Sequence, residues 1–212
     1  MKHKILVCGA SGSGKSTSLR NLDPKNTTIL NTERKVLPFR SAKQFDSTIS
    51  IDSYDAYVAT LNKIIAKGTR EVIVIDSFTS LSEQVSQFCT KNWKNYDIYK
   101  NYQILMYELV QNIKSIDRHV IITGIDEPIQ DDTGVITRHL RVEGKALKGA
   151  IEKEFAIVLW SKTIKEDGVI KHVFETNNDG STTAKTPMEM FSDRFIDNDI
   201  AAVLAAINEY YL

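Results

Sequence analysis

The residues with the clearest chemistry lie near the N-terminus, where Gly9 to Ser16 read GASGSGKS. This run fits the phosphate-loop pattern G-x-x-x-x-G-K-[ST] at every fixed position. Glycines let the backbone curl until its N–H groups point at a phosphate. Lys15 can then reach the β- and γ-phosphates, and the Ser16 hydroxyl can ligate Mg²⁺. The pattern predicts a nucleotide site formed by Gly9, Ala10, Ser11, Gly12, Ser13, Gly14, Lys15, Ser16 and Thr17.

Two carboxylates follow predicted strands and suit the same site. Val72 to Ile75 is a run of four β-branched residues, and Asp76 comes directly after it. Such a carboxylate helps to hold Mg²⁺ through Ser16 or through water. The run Thr27 to Asn31 also reads as a strand, and Glu33 stands just beyond its carboxyl end. Because ligands bind at that edge of open α/β sheets, Glu33 is a second candidate site residue.

The elements that must position these groups follow from hydrophobic patterning. Apolar runs predict strands near Leu6, Ile29, Val74 and Ile121, and a short edge strand over Ile49 to Ile51. Helices are expected from Ser16 to Leu22, after an N-cap at Ser53, behind a capping box at Ser80 and Glu83, over Tyr102 to Ile116, and over Ile200 to Tyr211. Together these patterns predict an α/β fold in which the phosphate loop joins a strand to a helix.

Turn signals in the second half of the chain predict antiparallel pairs. Pro128 to Val142 reads as a β-hairpin around the turn Asp131 to Gly134. Ile151 to Trp160 and Val169 to Thr176 read as a second pair, which flanks the turn Glu166 to Gly168. We therefore expect the later strands to extend the central sheet in the antiparallel direction.

Length and charge limit the function classes. The chain has 212 residues, and its 27 Lys and Arg balance its 27 Asp and Glu. With no net charge, any contact to nucleic acid must come from a local patch. No apolar run is long enough for a membrane helix, and Cys8 and Cys89 have no metal or disulfide spacing. The composition predicts one compact domain over residues 1–212 in a reducing cytoplasm, without a membrane partner.

The segment Lys91 to Tyr102 has two interpretations. The cations Lys91, Lys94 and Lys100 alternate there with Trp93 and several tyrosines. Cations for phosphates and flat rings for stacking are what a single-stranded nucleic-acid surface requires. The alternative is a helix–helix connection whose aromatic rings pack inward. The sequence favours neither interpretation.

The order of these motifs resembles a known family. GASGSGKS, a strand ending in Thr32-Glu33, the run VIVIDS, a further strand and antiparallel strands near a lysine are similar to the ATPase core of the RecA/RadA recombinase superfamily. More narrowly, the chain resembles the small RecA-like nucleotide-binding (AAA-domain) proteins of bacteriophages, some of which act in single-strand annealing. The resemblance implies a three-layer α/β sandwich with a mainly parallel sheet, in which the Ile121 strand lies between those of Leu6 and Val74.

The resemblance also implies roles for three further side chains. Glu33 matches the glutamate that activates the attacking water, and a general base on a neighbouring strand would suit that role. Thr123 stands where the superfamily often has a glutamine or histidine that senses the γ-phosphate. Lys185 resembles the lysine that reaches a neighbouring subunit's nucleotide, although an ordinary surface lysine is an equal alternative. A homo-oligomer is therefore a candidate state, but filament formation is not implied.

The leading hypothesis is a Mg²⁺-dependent ATPase that serves DNA recombination, single-strand annealing or replication. ATP is the default nucleotide because the chain has no Asn-Lys-x-Asp motif to read guanine. Expected partners are ATP, single-stranded DNA and a single-strand-binding protein, and a phage-encoded protein would work in the cytoplasm of its bacterial host. Two alternatives are a nucleotide-gated protein-binding switch with slow hydrolysis and a small-molecule kinase.

Overall fold

The computed structural model describes residues 2–144 and 147–212, and a nine-stranded sheet runs through this part of the chain. The strands are β1 (Lys4–Gly9), β2 (Thr27–Asn31), β3 (Thr48–Ser50), β4 (Val72–Asp76), β5 (His119–Gln130), β6 (Ile136–Leu140), β7 (Ile157–Glu166), β8 (Val169–Glu175) and β9 (Phe195–Asp197). Their order is β3-β2-β4-β5-β1-β7-β8-β9, and β6 pairs with β5.

Six neighbouring strands of the sheet, from β3 to β7, are parallel. The order confirms that the Ile121 strand, β5, separates β1 from β4. The register sets Val7 beside Thr123 and Asn31 beside Asp76. The carboxyl ends of these parallel strands therefore share one edge, where the phosphate loop leaves β1.

In residues 2–144 and 147–212, four α-helices cover the sheet: α1 (Tyr54–Lys67), α2 (Phe78–Asn92), α3 (Tyr96–Ser115) and α4 (Ile200–Tyr210). Side chains alternate along β1, as a strand requires. Leu6 and Cys8 pack in one hydrophobic cluster with side chains of α1, α2 and α3. Ile5 and Val7 pack on the opposite face with Leu19 and with side chains of α4. This arrangement is the three-layer sandwich expected from the sequence.

The segment after the phosphate loop is shorter than expected. In place of a helix over Ser16 to Leu22, a 3-10 segment spans Thr17–Asn21. Pro24 follows closely, and a residue before proline is biased away from the helical conformation. Because five residues of 3-10 geometry carry little dipole, the loop amides are the main candidates for anion-binding groups here.

The start of α2 also differs from the expectation. The capping box at Ser80 and Glu83 is wrong, because the helix begins at Phe78 with Ser77 as its N-cap. The Ser77 hydroxyl oxygen accepts the Ser80 N–H at 3.4 Å, so Ser80 lies in the first turn. The cap thus follows Asp76 directly, and β4 passes into α2 without a loop.

The two antiparallel pairs of the second half are present. β5 and β6 form the hairpin around Asp131 to Gly134, and β7 pairs with β8 across the turn at Asp167. However, the strand expected over Ile151 to Trp160 starts only at Ile157, because Glu152–Glu154 form a 3-10 turn. β7 is also a parallel neighbour of β1, so only β8 and β9 extend the path antiparallel. Within the described residues, no helix is long and apolar enough to cross a membrane.

Candidate active site

The phosphate loop depends on glycine at two points of close approach. Gly9 has a φ of +155° and Gly14 a φ of +107°, which side-chain-bearing residues rarely adopt. A Cβ on Gly9 would lie 2.4 Å from the Ser161 carbonyl oxygen. A Cβ on Gly14 would lie 3.0 Å from the His172 ring. The neighbouring strands β7 and β8 therefore fix the loop at both ends.

The loop presents free backbone donors to its interior. The Ser13 N–H bonds to the Ala10 carbonyl at 3.2 Å and closes the turn. Within the described part of the chain, the following amides donate to no protein acceptor: Gly12, Gly14, Lys15 and Ser16. Successive N–H groups in a curled backbone form a concavity that suits a phosphate oxygen.

Side chains of β7 and β8 form hydrogen bonds with the backbone of the loop. The Ser13 carbonyl oxygen accepts hydrogen bonds from Ser161 Oγ at 2.9 Å and from His172 Nδ1 at 2.8 Å. Asn198 Nδ2 in turn donates to Ser161 Oγ at 3.1 Å. These contacts fix the orientation of the peptide between Ser13 and Gly14.

The Lys15 ammonium group lies against the loop backbone. Its Nζ donates to the carbonyl oxygens of Gly9 and Ala10, at 2.8 Å each. Burial lowers the pKa of Lys15, whereas the charges of Asp126 and Asp76 oppose that shift. Carbonyl oxygens are weaker partners than phosphate oxygens, so a bound nucleotide can replace them.

The structure brings Ser16, Asp76 and Thr123 together. Ser16 Oγ donates to Asp76 Oδ1 at 3.1 Å, and the buried Thr123 hydroxyl donates to the same oxygen. Burial raises the pKa of Asp76, and these two hydrogen bonds oppose the rise. Thr123 therefore contacts the carboxylate, where the resemblance implied a γ-phosphate sensor.

The donor set fits Mg²⁺. A hydroxyl and a carboxylate are hard oxygen ligands, and Asp76 Oδ2 accepts no hydrogen bond from the described residues. No group of three or more His, Cys, Asp or Glu side chains in those residues could hold a metal alone. This sparse set suits Mg²⁺, which keeps waters and takes substrate phosphates as ligands. Ser16 and Asp76 are the residues that would hold it.

Glu33 projects into the same cavity with both oxygens engaged. Its Oε1 accepts the Ser77 hydroxyl at 2.9 Å, and its Oε2 pairs with Lys35 Nζ at 2.7 Å. Burial favours the neutral form of the carboxyl, but the hydrogen bonds from Lys35 and Ser77 prevail and hold the pKa of Glu33 below its usual value. Glu33 is therefore ionised, as a proton acceptor must be.

These groups line one cavity of about 340 Å³. Its lining residues are Ser11, Gly12, Gly14, Lys15, Ser16, Thr17, Glu33, Lys35, Pro38, Asp76, Ile125 and His172. The volume lies at the lower end of the range of small-molecule sites, roughly 300–1,000 Å³. Donors that suit phosphates, oxygens that suit a metal and the ionised Glu33 carboxylate thus share one space.

Lys185 lies away from this cavity in its own chain. Its backbone bonds to Val158 in both directions, at 2.8 and 2.9 Å. Val158 is in register with Leu6, well before the loop begins at Gly9. The Lys185 side chain is partly buried and does not line the cavity described above. A role at the nucleotide of a neighbouring subunit stays a prediction.

The segment Lys91 to Tyr102 joins α2 to α3 and contains both exposed and buried side chains. Lys91, Lys94 and Lys100 are exposed. Trp93 is partly buried, and its ring packs edge-to-face on Phe88 with centroids 5.8 Å apart. The exposed rings of this segment are instead Tyr96 and Tyr99, at 77% and 65% exposure. A base could stack on these two rings more readily than on the tryptophan.

Sequence reasoning missed three side chains that shape the site. Ser77 holds Glu33 and caps α2, but a serine after a strand is a weak signal. Lys35 follows Glu33 by two residues, and that spacing indicates a contact only once the turn at Arg34 is known. His172 comes from the other end of the chain, so only the sheet order places it beneath the loop.

The fold and the site together define a P-loop NTPase with RecA-like strand order. Residues 1–188 match the model of a family described as AAA domain, and the chain belongs to that family. No curated protein matches the chain. One similar solved structure is a KaiC-like protein from the hyperthermophilic archaeon Pyrococcus horikoshii. It is 12% identical, with a TM-score of 0.48, over 81% of this chain and 76% of that chain.

Proposed function

We propose that this chain binds ATP with Mg²⁺ and hydrolyses it to ADP and phosphate. The observation that carries the proposal is the single cavity that joins the loop amides and Lys15 to the Ser16–Asp76 pair and Glu33. Catalysis of phosphoryl transfer needs mainly positioning and charge stabilisation. The groups that line this cavity suit both positioning and charge stabilisation.

Each residue has a defined task in this reaction. The amides and Lys15 bind the phosphates, and Ser16 and Asp76 orient the metal. Mg²⁺, when bound, neutralises charge on the β- and γ-phosphate oxygens. Glu33 accepts a proton from the water that attacks the γ-phosphorus, while the bond to the bridging oxygen breaks and ADP leaves. One water is consumed and one phosphate is released for each ATP.

At the level of biology, we propose a role in DNA recombination, single-strand annealing or replication, in a phage-encoded protein. The support is the exposed surface of Lys91, Lys94, Lys100, Tyr96 and Tyr99, which combines cations with accessible rings. A single-strand-binding protein is a further candidate partner. This surface is separate from the cavity, so DNA would regulate turnover from a distance.

The test is phosphate release from ATP by the intact chain. Turnover that requires Mg²⁺ and stops with EDTA supports the ATPase, and stimulation by single-stranded DNA supports the DNA role. Turnover that DNA does not change would contradict the DNA role and favour a nucleotide-gated switch. Absence of both ATP binding and turnover would overturn the proposal as a whole.

A further inference from the structure

Two contacts make Glu33 a weak base in the arrangement seen here. Ser77 Oγ donates to one carboxylate oxygen at 2.9 Å, and the Lys35 ammonium pairs with the other at 2.7 Å. A carboxylate that is held by an ammonium group has little affinity for a further proton. Departure of one of these two partners would raise the basicity of Glu33 and favour water activation.

Lys35 is the partner that is free to move. Ser77 is buried and is bonded through its backbone N–H and C=O to the Thr32 hydroxyl, at 2.7 Å each. The Lys35 side chain, by contrast, is 76% exposed, and that of Glu33 is 21% exposed. A solvent-exposed ion pair of this kind is weak, because water and side-chain entropy compete with it.

The backbone holds Lys35 at the mouth of the cavity. Arg34 has a φ of +56°, and this left-handed residue turns the chain back so that Lys35 faces Glu33. The Asn31 amide donates to the Lys35 carbonyl oxygen at 2.6 Å and fixes the base of the side chain. Lys35 also lines the cavity that contains Lys15 and Ser16. A fixed backbone and a flexible four-carbon stem let the ammonium sample both Glu33 and the phosphate position.

We infer that Lys35 is a γ-phosphate-operated switch on Glu33, and this inference rests on the proposed function. Without a γ-phosphate, Lys35 pairs with Glu33 and keeps the base blocked. With ATP bound, the ammonium moves to a γ-phosphate oxygen, a more highly charged partner than a carboxylate. Glu33 is then free to accept a proton from the attacking water, and Lys35 stabilises the charge on the phosphoryl group during transfer.

This switch gives the chain a second cation at the γ-phosphate from within one subunit. Lys15 would contact the phosphates from inside the loop, and Lys35 would contact them from the Glu33 side, since both line the cavity. The neighbouring Arg34 does not line this cavity, and within the described residues it forms no ion pair with Glu33. Arg34 is therefore a matched control: an adjacent cation of similar length outside the proposed switch.

The experiment compares the affinities of ADP and a non-hydrolysable ATP analogue, each with Mg²⁺. In Lys35→Met, loss of a charge-assisted hydrogen bond should weaken analogue binding about tenfold, while ADP binding stays within about twofold. Lys35→Arg should keep most of the analogue preference, and Arg34→Met should behave as the parent does. Equal losses for ADP and the analogue, or no change in Lys35→Met, would overturn the switch.

The Glu33→Gln background supplies a second test that is independent of turnover. Without the carboxylate charge, Lys35 no longer has to leave an ion pair, so Glu33→Gln should bind the analogue more tightly than the parent does. In the Lys35→Met background, adding Glu33→Gln should not tighten analogue binding. If Glu33→Gln tightened analogue binding equally in the parent and in Lys35→Met, the coupling between Glu33 and Lys35 would be contradicted. If the parent binds neither ADP nor the analogue, the proposed function fails; if it binds both and Lys35→Met keeps the preference, only the switch fails.

Discussion

Lys15 is the residue on which nucleotide binding depends most directly. Lys15→Ala should greatly weaken ATP binding or abolish turnover, because the phosphates lose a charge-assisted partner. Equilibrium binding of ATP to the intact chain measures the effect. Lys25→Ala removes an exposed lysine outside the cavity and is the control. Turnover at the parental rate in Lys15→Ala would show that the phosphate site is assigned wrongly.

Thr123 should affect how tightly Asp76 binds Mg²⁺. Its buried hydroxyl donates to Asp76 Oδ1 beside the Ser16 hydroxyl, so it helps to hold the carboxylate ionised and oriented. Thr123→Val should raise the Mg²⁺ concentration needed for half-maximal turnover, while Thr123→Ser should stay near the parent. A Mg²⁺ titration of turnover measures this change. Unchanged Mg²⁺ dependence in Thr123→Val, with altered discrimination between ATP and ADP, would instead support a γ-phosphate sensor.

Helix α4 contacts the 3-10 segment Thr17–Asn21, which follows the phosphate loop. Asp199 caps α4 by accepting the Ala201 N–H at 2.9 Å, and it also accepts the Asn21 side-chain amide at 2.7 Å. Asp199→Ala should lower the free energy of unfolding by about 1 kcal/mol, within the roughly 0.5–2 kcal/mol observed for lost N-caps. Chemical denaturation measures the loss. The exposed Asn208 near the other end of α4 is the control, and equal stabilities of Asp199→Ala and Asn208→Ala would contradict this role.

The connection between α2 and α3 carries the DNA prediction. If Lys91, Lys94 and Lys100 contact phosphates, each substitution by alanine should lower the salt slope of single-strand binding by about 0.7. Because Tyr99 is exposed, Tyr99→Ala should weaken binding by about 1–3 kcal/mol if a base stacks on the ring. Trp93→Ala should mainly lower stability, since its ring packs on Phe88. Binding that the triple lysine substitution leaves unchanged would identify the segment as a structural connection.

The central strands and their order could be predicted because they carry strong local signals. β1 and β4 contain short apolar runs that end at the motif residues Gly9 and Asp76, and Glu33 follows the end of β2 by two residues. The start of β7 could not be predicted, because Ile151 is as apolar as a strand residue but is buried from a 3-10 turn. The Glu152 carboxylate holds that turn by accepting the Leu140 N–H at 2.8 Å, a contact between distant parts of the chain.

Within the site, the loop and the two carboxylates were predictable, but the side chains that contact Glu33 were not. The spacing of Gly9 to Ser16 is a local pattern with a chemical meaning of its own. The contacts of Ser77 and Lys35 with Glu33 depend on the turn at Arg34 and on the junction between β4 and α2. Such contacts arise from tertiary geometry, so no single residue type indicates them in advance.

For the whole molecule, the prediction from the sequence is that Lys185 of a second subunit completes the site. Lys185→Ala should lower turnover while leaving ATP binding by isolated subunits nearly intact, if the lysine reaches a neighbouring nucleotide. Parental specific activity should then rise with protein concentration, and mixing Lys185→Ala with Glu33→Gln should restore part of the activity. Mass measurement with ATP and DNA accompanies these assays. A monomer with concentration-independent turnover would leave Lys185 as a surface lysine and Lys35 as the second cation.

Glu33 links nucleotide binding to water activation in the proposed reaction. Mg²⁺·ATP binding and phosphate release in a single turnover can be measured for Glu33→Gln and for the parent. The variant should bind ATP at least as tightly as the parent but hydrolyse it roughly 10²–10⁴-fold more slowly, as expected for loss of a general base. Hydrolysis at the parental rate by a variant that binds ATP normally would show that Glu33 does not activate the water.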